Sequence, residues 1–259
     1  MKYAGIDIGS LTGKAVIIED GRILSSKVVH VKRNPVQTSE EVYRQALAQI
    51  NLTPGDIAFC VGTGYGREKI PFANKTLSEI SCHGKGAYSC DRAIRTIIDV
   101  GGQDCKVITL DDTGNLKDFI MNEKCAAGTG RYLELMADLL GLTLDELGTI
   151  SLKARTPIQL TSICSIYAQA EVLQLISQKS KKEDIAAGIN SAMAERTATL
   201  ARKLVLREKM AVTGGVAKNK SVVQNLERIL GIKFTTLPVD PQIIGALGAA
   251  FIAQESHER

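Results

Sequence analysis

An internal duplication constrains the fold of this chain more than any other feature of its sequence. Residues 5–18 (GIDIGSLTGKAVII) and residues 97–110 (IIDVGGQDCKVITL) each hold a short apolar run that ends in aspartate, a glycine turn and a second apolar run. Three residues recur at one offset of 92 positions, namely Asp7 and Asp99, Gly9 and Gly101, and Lys14 and Lys106. Such runs indicate strands joined by tight turns. The repeat therefore predicts two related α/β halves with a ligand cleft between them.

Hydrophobic periodicity extends this plan along the chain. Turns at Asp20-Gly21 and at residues 113–115 lead each repeat into a third strand, and residues 57–61 form a further predicted strand. Helices are predicted over residues 39–49, 78–93, 131–140, 166–177, 182–206 and 220–230, the first of them capped by Ser39.

Small residues at positions 245–250 predict a last helix that approaches its neighbours closely. We expect this helix to cross back onto the first half. On this plan, residues 1–95 together with residues 240–259 form the first α/β half, and residues 96–239 form the second half with helical insertions.

The two glycine turns have the chemistry of phosphate sites, because a turn without Cβ atoms lets backbone N–H groups approach an anion. Asp7 and Asp99 end their strands at these turns, where a carboxylate holds hydrated Mg²⁺ or orients the attacking water of a phosphoryl transfer. Gln103 and Asp104 are further candidates for orienting that water. The candidate phosphate-binding residues of the turns are Gly9, Ser10, Leu11, Thr12, Lys14, Gly101 and Gly102. For one isolated copy, a plain hairpin turn explains the pattern equally well.

A third glycine site follows an apolar run at residues 210–213. Neither repeat fits the GxxxxGK[ST] pattern, and no GxGxxG follows the first strand, so Walker-type and dinucleotide-binding folds are excluded. The third site is then the expected adenosine end of the cleft, unless it is a close-packed strand-to-helix turn. Its candidate residues are Gly214, Gly215, Val216, Ala217 and Asn219. Three glycine sites with a repeat resemble the actin/Hsp70/sugar-kinase superfamily, a duplicated, ribonuclease H-like α/β fold.

Two of the six cysteines, Cys125 and Cys164, directly precede predicted helices. The free N–H groups and positive dipole of a helix N-terminus favour a thiolate, so both positions suit a metal-bound sulfur, although burial as a small apolar side chain is equally open. Two cysteines are too few for the Cys₄ ligation of a [4Fe–4S] cluster, whereas a two-fold homodimer supplies four. Cys60, Cys82, Cys90 and Cys105 are assigned to packing, and His83 to a cap or the core.

Six segments together resemble the 2-hydroxyacyl-CoA dehydratase activator family of BadF/BadG/BcrA/BcrD-type ATPases, which includes ATPase subunits of benzoyl-CoA reductase and reductases of double-cubane cluster proteins. They are GIDIGS at 5–10, TGYGR at 63–67, SEISCH at 78–83, IDVGGQD at 98–104, NEKCAAGTGR at 122–131 and VTGGVAKN at 212–219. The resemblance spans almost the whole chain, and residues 125–131 are its most specific part. It also marks Gly128, Thr129 and Gly130 as candidate nucleotide-binding residues.

The resemblance implies a homodimer in which Cys125 and Cys164 of both subunits hold one bridging [4Fe–4S] cluster. ATP hydrolysis with Mg²⁺ is then coupled to passing a low-potential electron to a partner iron–sulfur enzyme, which is a 2-hydroxyacyl-CoA dehydratase, a related reductase or a double-cubane cluster protein. Reduced ferredoxin or flavodoxin is the implied electron donor.

Composition narrows the remaining choices. The net charge of the 259 residues is only +4, aromatics make up 4% and tryptophan is absent, so a stacking surface for nucleic acid is not expected. No apolar run reaches the roughly 20 residues of a membrane span, and residues 1–7 lack a signal-peptide pattern, so a cytoplasmic protein without membrane contact is expected. Two rival functions stay open: a small-metabolite kinase with Asp99 as its base, and a nucleotide-dependent regulatory or chaperone-like module.

Overall fold

The computed structural model of the chain describes residues 1–122, 126–162 and 164–258 and contains two β-sheets of related topology. Cys125, one of the two predicted metal ligands, lies outside these residues. Within the described ranges, no helix is both long and apolar enough to cross a membrane.

The first sheet has five strands in the order β3-β2-β1-β4-β5. Strands β1 and β2, and β2 and β3, pair antiparallel, whereas β4 runs parallel to β1, and β5 runs parallel to β4. Its strands are β1 (Lys2–Ile8), β2 (Thr12–Glu19), β3 (Arg22–His30), β4 (Ile57–Thr63) and β5 (Lys75–Thr76).

The second sheet has four strands in the order β8-β7-β6-β9 and repeats this plan. Its first three strands form an antiparallel meander, and β9 runs parallel to β6 as β4 does to β1. Its strands are β6 (Thr96–Val100), β7 (Cys105–Leu110), β8 (Leu116–Asn122) and β9 (Met210–Thr213). All residues of β6, β7 and β9 are buried, which explains why apolar residues in these strands do not alternate with exposed polar ones.

Eight α-helices surround the sheets in the described part of the chain. They are α1 (Pro35–Ala48), α2 (Glu79–Cys90), α3 (Gly130–Leu140), α4 (Leu144–Ser151), α5 (Ser165–Ser177), α6 (Lys182–Ala201), α7 (Lys220–Leu230) and α8 (Ile244–His257). The apolar faces of α3, α6 and α7 share one hydrophobic cluster with the second sheet, and α8 shares another with both sheets.

The predicted start of α1 is wrong. Asn34, rather than Ser39, caps the helix: its side chain accepts a hydrogen bond of 3.0 Å from the Val36 N–H, and Pro35 supplies the first helical residue. Ser39 lies inside the helix, fully buried, and its hydroxyl donates to the carbonyl of Val36. An asparagine followed by proline is a helix-start signal that outranks the later serine.

Helix α6 ends at Ala201, five residues before the predicted end at Leu206. The N–H groups of Lys203 and Leu204 bond to carbonyls three residues back, which tightens the chain out of the α-helix. Helix α4 was not predicted, although its signal is present in the sequence. Thr143 and Glu146 form a reciprocal capping box at its start.

Helix α8 packs across β1 and β4 of the first sheet and against α2. Glycines make this approach possible. A Cβ on Gly5 would lie 1.9 Å from the Ala246 carbonyl oxygen, and a Cβ on Gly248 would lie within van der Waals overlap of the Cys82 carbonyl. Backbone therefore meets backbone where α8 crosses β1 and α2.

Candidate functional site

The two glycine turns have the same backbone hydrogen bond. In the first turn (residues 9–12) the Gly9 N–H donates to the Thr12 carbonyl at 3.0 Å. In the second turn (residues 101–104) the Gly101 N–H donates to the Asp104 carbonyl, also at 3.0 Å. The duplication seen in the sequence is thus a duplication of turn geometry.

Each turn is flanked by an aspartate and a lysine that face each other across an antiparallel strand pair. Asp7 pairs with Lys14 between β1 and β2, and Asp99 pairs with Lys106 between β6 and β7. The lysine Nζ lies 3.1 Å from the Asp7 carboxylate in the first pair and 3.5 Å from the Asp99 carboxylate in the second. Both aspartates are buried, so both charges depend on these partners.

A second correspondence, which the sequence analysis did not use, links the loops after β4 and β9. Gly64 and Gly214 both have positive φ, at 89° and 84°. A Cβ at Gly64 would lie 2.5 Å from the Ile8 carbonyl oxygen, and a Cβ at Gly214 would lie 2.3 Å from the Val100 carbonyl oxygen. Glycine is required at both positions because backbone crosses there and φ is left-handed. The shared Thr-Gly after an apolar strand is the sequence signal for this pair.

Both turns open into one cleft of about 630 Å³, which is large enough for a drug-sized ligand. The structure brings most of the predicted site residues to its walls. These are Asp7, Gly9, Ser10, Leu11, Thr12, Lys14, Asp99, Gly101, Gly102, Asp104, Gly130, Gly214, Gly215, Val216 and Asn219.

Four predicted residues do not line the cleft: Gln103, Gly128, Thr129 and Ala217. Gln103 lies in the second turn and is exposed. The Thr129 side chain is fully buried, and its hydroxyl donates to the Ala126 carbonyl at 2.7 Å, which closes the turn before α3. Thr129 therefore stabilises the backbone of this loop.

Asp99 is the most heavily contacted carboxylate of the cleft. The Thr213 hydroxyl donates to Asp99 Oδ1 at 2.8 Å, and His83 Nδ1 lies 3.2 Å from the same oxygen. Burial opposes ionisation of Asp99, but His83, Lys106 and the Thr213 hydroxyl together favour the carboxylate and hold its pKa below the ordinary value. Asp99 is thus a carboxylate at neutral pH in a fully buried position.

Lys106 is buried among three carboxylates. Its Nζ lies 2.7 Å from Asp104, 3.4 Å from Glu79 and 3.5 Å from Asp99. Burial disfavours the ammonium, but the three carboxylates outweigh burial and raise the pKa of Lys106. The cation is therefore permanent, and it holds the second turn against the start of α2.

Sequence reasoning missed Glu79 and His83, which lie one turn apart on α2 and both line the cleft. His83 was assigned to a cap or the core, and it is buried, but its Nδ1 lies 3.1 Å from the Thr213 hydroxyl. Glu79 Oε2 is buried and accepts no hydrogen bond within the part of the chain that the structure describes. No local pattern separates this face of α2 from an ordinary packing face.

The far end of the cleft is formed by the loop after β9 and by α4. Gly148 of α4 lies against Asn219, whose amide oxygen would be 3.1 Å from a Cβ at this glycine. Leu144 and Leu152 add apolar surface at the same end. An apolar wall beside a diglycine suits the flat face of a purine base.

The N-terminus of α3 is bonded directly to the second turn. The N–H groups of Gly130 and Arg131 donate to the carbonyls of Gly101 and Gly102, both at 2.8 Å. These bonds satisfy two of the free donors at the start of the helix. Helix α3 therefore has a fixed relation to the wall of the cleft.

The cysteines fall into two groups. Cys60, Cys82 and Cys105 are buried, as predicted, and burial raises the pKa of each thiol to about 12. Cys90 is half-buried, and burial raises its pKa as well. Cys164 is exposed and occupies the N-cap position of α5. Of the described cysteines, Cys164 alone combines exposure with a helix N-terminus.

Comparison with known proteins gives a consistent result. Residues 4–253 match the profile of the BadF/BadG/BcrA/BcrD ATPase family. The chain is 42% identical to the activator of lactoyl-CoA dehydratase from Anaerotignum propionicum, and the match covers 100% of both chains. It superposes with a TM-score of 0.96 and 37% identity on the activator of the 2-hydroxyisocaproyl-CoA dehydratase from Clostridium difficile with bound ADPNP, over 100% of this chain and 96% of the other.

A more distant likeness identifies the fold. A ROK family glucokinase from Streptomyces griseus superposes with a TM-score of 0.57 at 14% identity, over 98% of this chain and 100% of the other. The duplicated sheets and the shared cleft are thus those of the actin/Hsp70/sugar-kinase fold, as the sequence predicts.

Proposed function

Because the chain belongs to the BadF/BadG/BcrA/BcrD ATPase family, we propose that it is an ATP-hydrolysing activator that delivers a low-potential electron to an iron–sulfur enzyme. The observation that carries this proposal is the pair of equivalent Asp-Gly turns that face one cleft. A site with two such turns holds a polyphosphate from both sides and positions it for phosphoryl transfer.

The nucleotide is proposed to lie with its phosphates between the two turns and its adenosine at Gly214-Gly215. The Gly9 and Gly101 N–H groups close the turns, so the backbone N–H groups of Ser10, Leu11 and Gly102 are the ones proposed to face the phosphates, and Lys14 contributes a positive charge. The Asp7 and Asp99 carboxylates reach the same space. They fit Mg²⁺, since this ion needs only one or two carboxylates in addition to phosphates and water. When bound, Mg²⁺ neutralises charge that develops on the phosphates.

Asp7 and Asp99 are the proposed catalytic carboxylates, which orient water or hold the hydrated cation. Asp104 also faces the cleft, but its carboxylate is held by Lys106 at 2.7 Å, so we assign it to fixing the second turn. Gln103 is exposed at that turn and is proposed to contact the attacking water. Glu79 also lines the cleft, but its carboxylate lies between Lys106 at 3.4 Å and Arg67 at 3.8 Å, so we assign it to balancing these two cations.

A bridging [4Fe–4S] cluster fits what the structure describes of the proposed ligands. Cys164 is exposed at the N-terminus of a helix of 13 residues, so its sulfur is accessible to a metal ion. The cluster needs four thiolates, so Cys125 and Cys164 of two subunits are the proposed ligands. When bound, the cluster supplies the one-electron chemistry of the activator.

The surface next to Cys164 supports a homodimer. On α5, Ile166 and Tyr167 are 71% and 70% exposed, and Leu173 is 51% exposed. Neighbouring apolar side chains of this size on one helix favour a protein–protein contact. A two-fold axis near this surface brings together the cysteines of two subunits. The acceptor is proposed to be a 2-hydroxyacyl-CoA dehydratase, a related reductase or a double-cubane cluster protein, and the donor reduced ferredoxin or flavodoxin.

The test is the iron and acid-labile sulfide content of protein purified without oxygen, together with its mass by light scattering. We expect about four iron atoms per dimer, and their loss in Cys125→Ser and in Cys164→Ser. Cys90→Ser is the matched control, because this half-buried thiol lies outside the proposed site. Full iron content in either ligand variant would reject the ligand assignment. An iron-free protein that hydrolyses ATP only with an added metabolite would favour a kinase instead.

A further inference from the structure

The segment 161–162, which leads to Cys164, is held from two sides. The Glu171 carboxylate on α5 accepts hydrogen bonds from the N–H groups of Thr161 and Ser162, at 2.9 and 3.0 Å, and from the Thr161 hydroxyl at 3.1 Å. Arg196 on α6 donates from Nη2 to the Ser162 carbonyl at 2.7 Å. The backbone two residues before the thiol is therefore tied to two different helices.

Arg196 has a second contact on its other side. Its guanidinium carbon lies 4.9 Å from the centroid of the Tyr132 ring, which is a cation–π distance, and Tyr132 is fully buried. Its Nη1 is buried and finds no hydrogen-bond partner among the residues the structure describes. The side chain thus joins α6 to α3 through its contact with the Tyr132 ring.

Tyr132 directly follows the residues that bind the second turn. The N–H groups of Gly130 and Arg131 donate to the carbonyls of Gly101 and Gly102, and the next residues of α3, Leu133 and Glu134, line the cleft. A displacement of the second turn therefore moves the start of α3 and the ring on which Arg196 lies.

We propose that Arg196 is a positioning residue that couples the occupant of the cleft to the placement of Cys164. This inference rests on the function proposed above. The contacts lead from the second turn through α3 and Tyr132 to Arg196, and from Arg196 to the Ser162 carbonyl, two residues before Cys164. Arginine suits this position because its planar group stacks on a ring while it donates in the plane, which lysine does not do.

The simpler alternative is that Arg196 only holds helices together. The coupling role and the purely structural role of Arg196 differ in one observable, which is the change in hydrogen exchange of residues 161–168 between the two nucleotides. Hydrogen–deuterium exchange is measured on the full chain as purified, with ADP and with a non-hydrolysable ATP analogue. In the wild type, we expect the two nucleotides to give exchange rates of this segment that differ about fivefold or more.

In Arg196→Met we expect that difference to fall below about twofold, with the affinity for both nucleotides unchanged. The control is Arg202→Met, because Arg202, which directly follows the same helix, donates to a backbone carbonyl, that of Ile229, at the same distance of 2.7 Å. This control is expected to keep the wild-type difference. Arg196→Lys keeps the charge and most of the stem, and is expected to resemble Arg196→Met; it decides the question if the methionine variant does not fold.

A wild-type response in both Arg196 variants, or no response in the wild type, overturns the inference. Its failure is distinct from that of the proposed function. Iron content and ATP hydrolysis of the wild type test the activator, whereas the exchange of residues 161–168 tests Arg196. A wild type with iron and ATPase activity whose Arg196 variants respond fully to nucleotide keeps the function and loses the coupling residue.

Discussion

The first and second turns have the same backbone but different surroundings. In the first, Asp7 has an ion pair with Lys14. In the second, Asp99 contacts His83, Thr213 and Lys106, and that lysine also contacts two further carboxylates. Duplication therefore determines where the chain turns, and neighbouring elements determine the charge of each turn.

Helix α2 is the source of the difference. Glu79 and His83 lie on the face of α2 that points to the second turn, where they reach Lys106 and Asp99. Charged groups consequently concentrate on one side of the cleft. We infer a division of labour, in which the first turn mainly holds phosphate and the second turn mainly orients the reacting groups.

The largest expected difference between the turns is in stability. Lys106→Met leaves three carboxylates near one another without their cation, so we expect a loss of about 3–5 kcal/mol in the free energy of unfolding. Lys14→Met frees one carboxylate and is expected to cost less. Urea denaturation of both variants measures this, and equal losses would contradict the asymmetry of the two turns.

The two equivalent glycines with positive φ, in contrast, should lose equal stability when they are substituted. Gly64→Ala and Gly214→Ala each force a side chain into a left-handed position against a carbonyl oxygen, so each should lose about 1–3 kcal/mol or more. Gly215→Ala is the control, because the nearest atom to its Cβ is Gln242 Nε2 at 3.5 Å. Thermal melting checks all three, and a large difference between the first two would break the correspondence.

Low pH should destabilise the fold through protonation of Asp99 beside the second turn. The pKa of Asp99 is lowered in the folded state, so the carboxylate stabilises the fold at pH values above its ordinary pKa of about 3.9, and this contribution is lost as the pH falls through the folded value. Asp99→Asn removes it. Between pH 5 and pH 2, urea midpoints of the wild type should therefore fall more steeply than those of the variant, and parallel curves would reject this assignment.

The smallest effects are expected at two asparagine helix caps. Asn34 caps α1 at an exposed position, so Asn34→Ala should cost about 1 kcal/mol. Asn219 caps α7 in a buried position and also donates to the Asn190 side chain at 3.1 Å. Asn219→Ala should cost more, because it leaves the buried Asn190 oxygen without its donor. Denaturation midpoints of the two variants test this order.

The sequence predicted the candidate site best where the site is built from backbone turns. A repeat with aspartate, glycine and lysine at one offset predicts both turns and the strands beside them. It does not predict Glu79 or His83, because only the packing of α2 determines which of its faces meets the cleft. The cap of α1 and the whole of α4 were predictable from Asn34-Pro35 and from the pair Thr143 and Glu146, because both are local signals that need no tertiary contact.

The crossing of α8 onto β1 and β4 has a consequence for synthesis. The first sheet needs α8 to cover one face, yet α8 follows every strand of both sheets in the chain. During synthesis, the second sheet is complete while the face of the first sheet that α8 covers is still exposed. The first sheet is therefore expected to finish folding only after α8 has emerged, although its strands are made first.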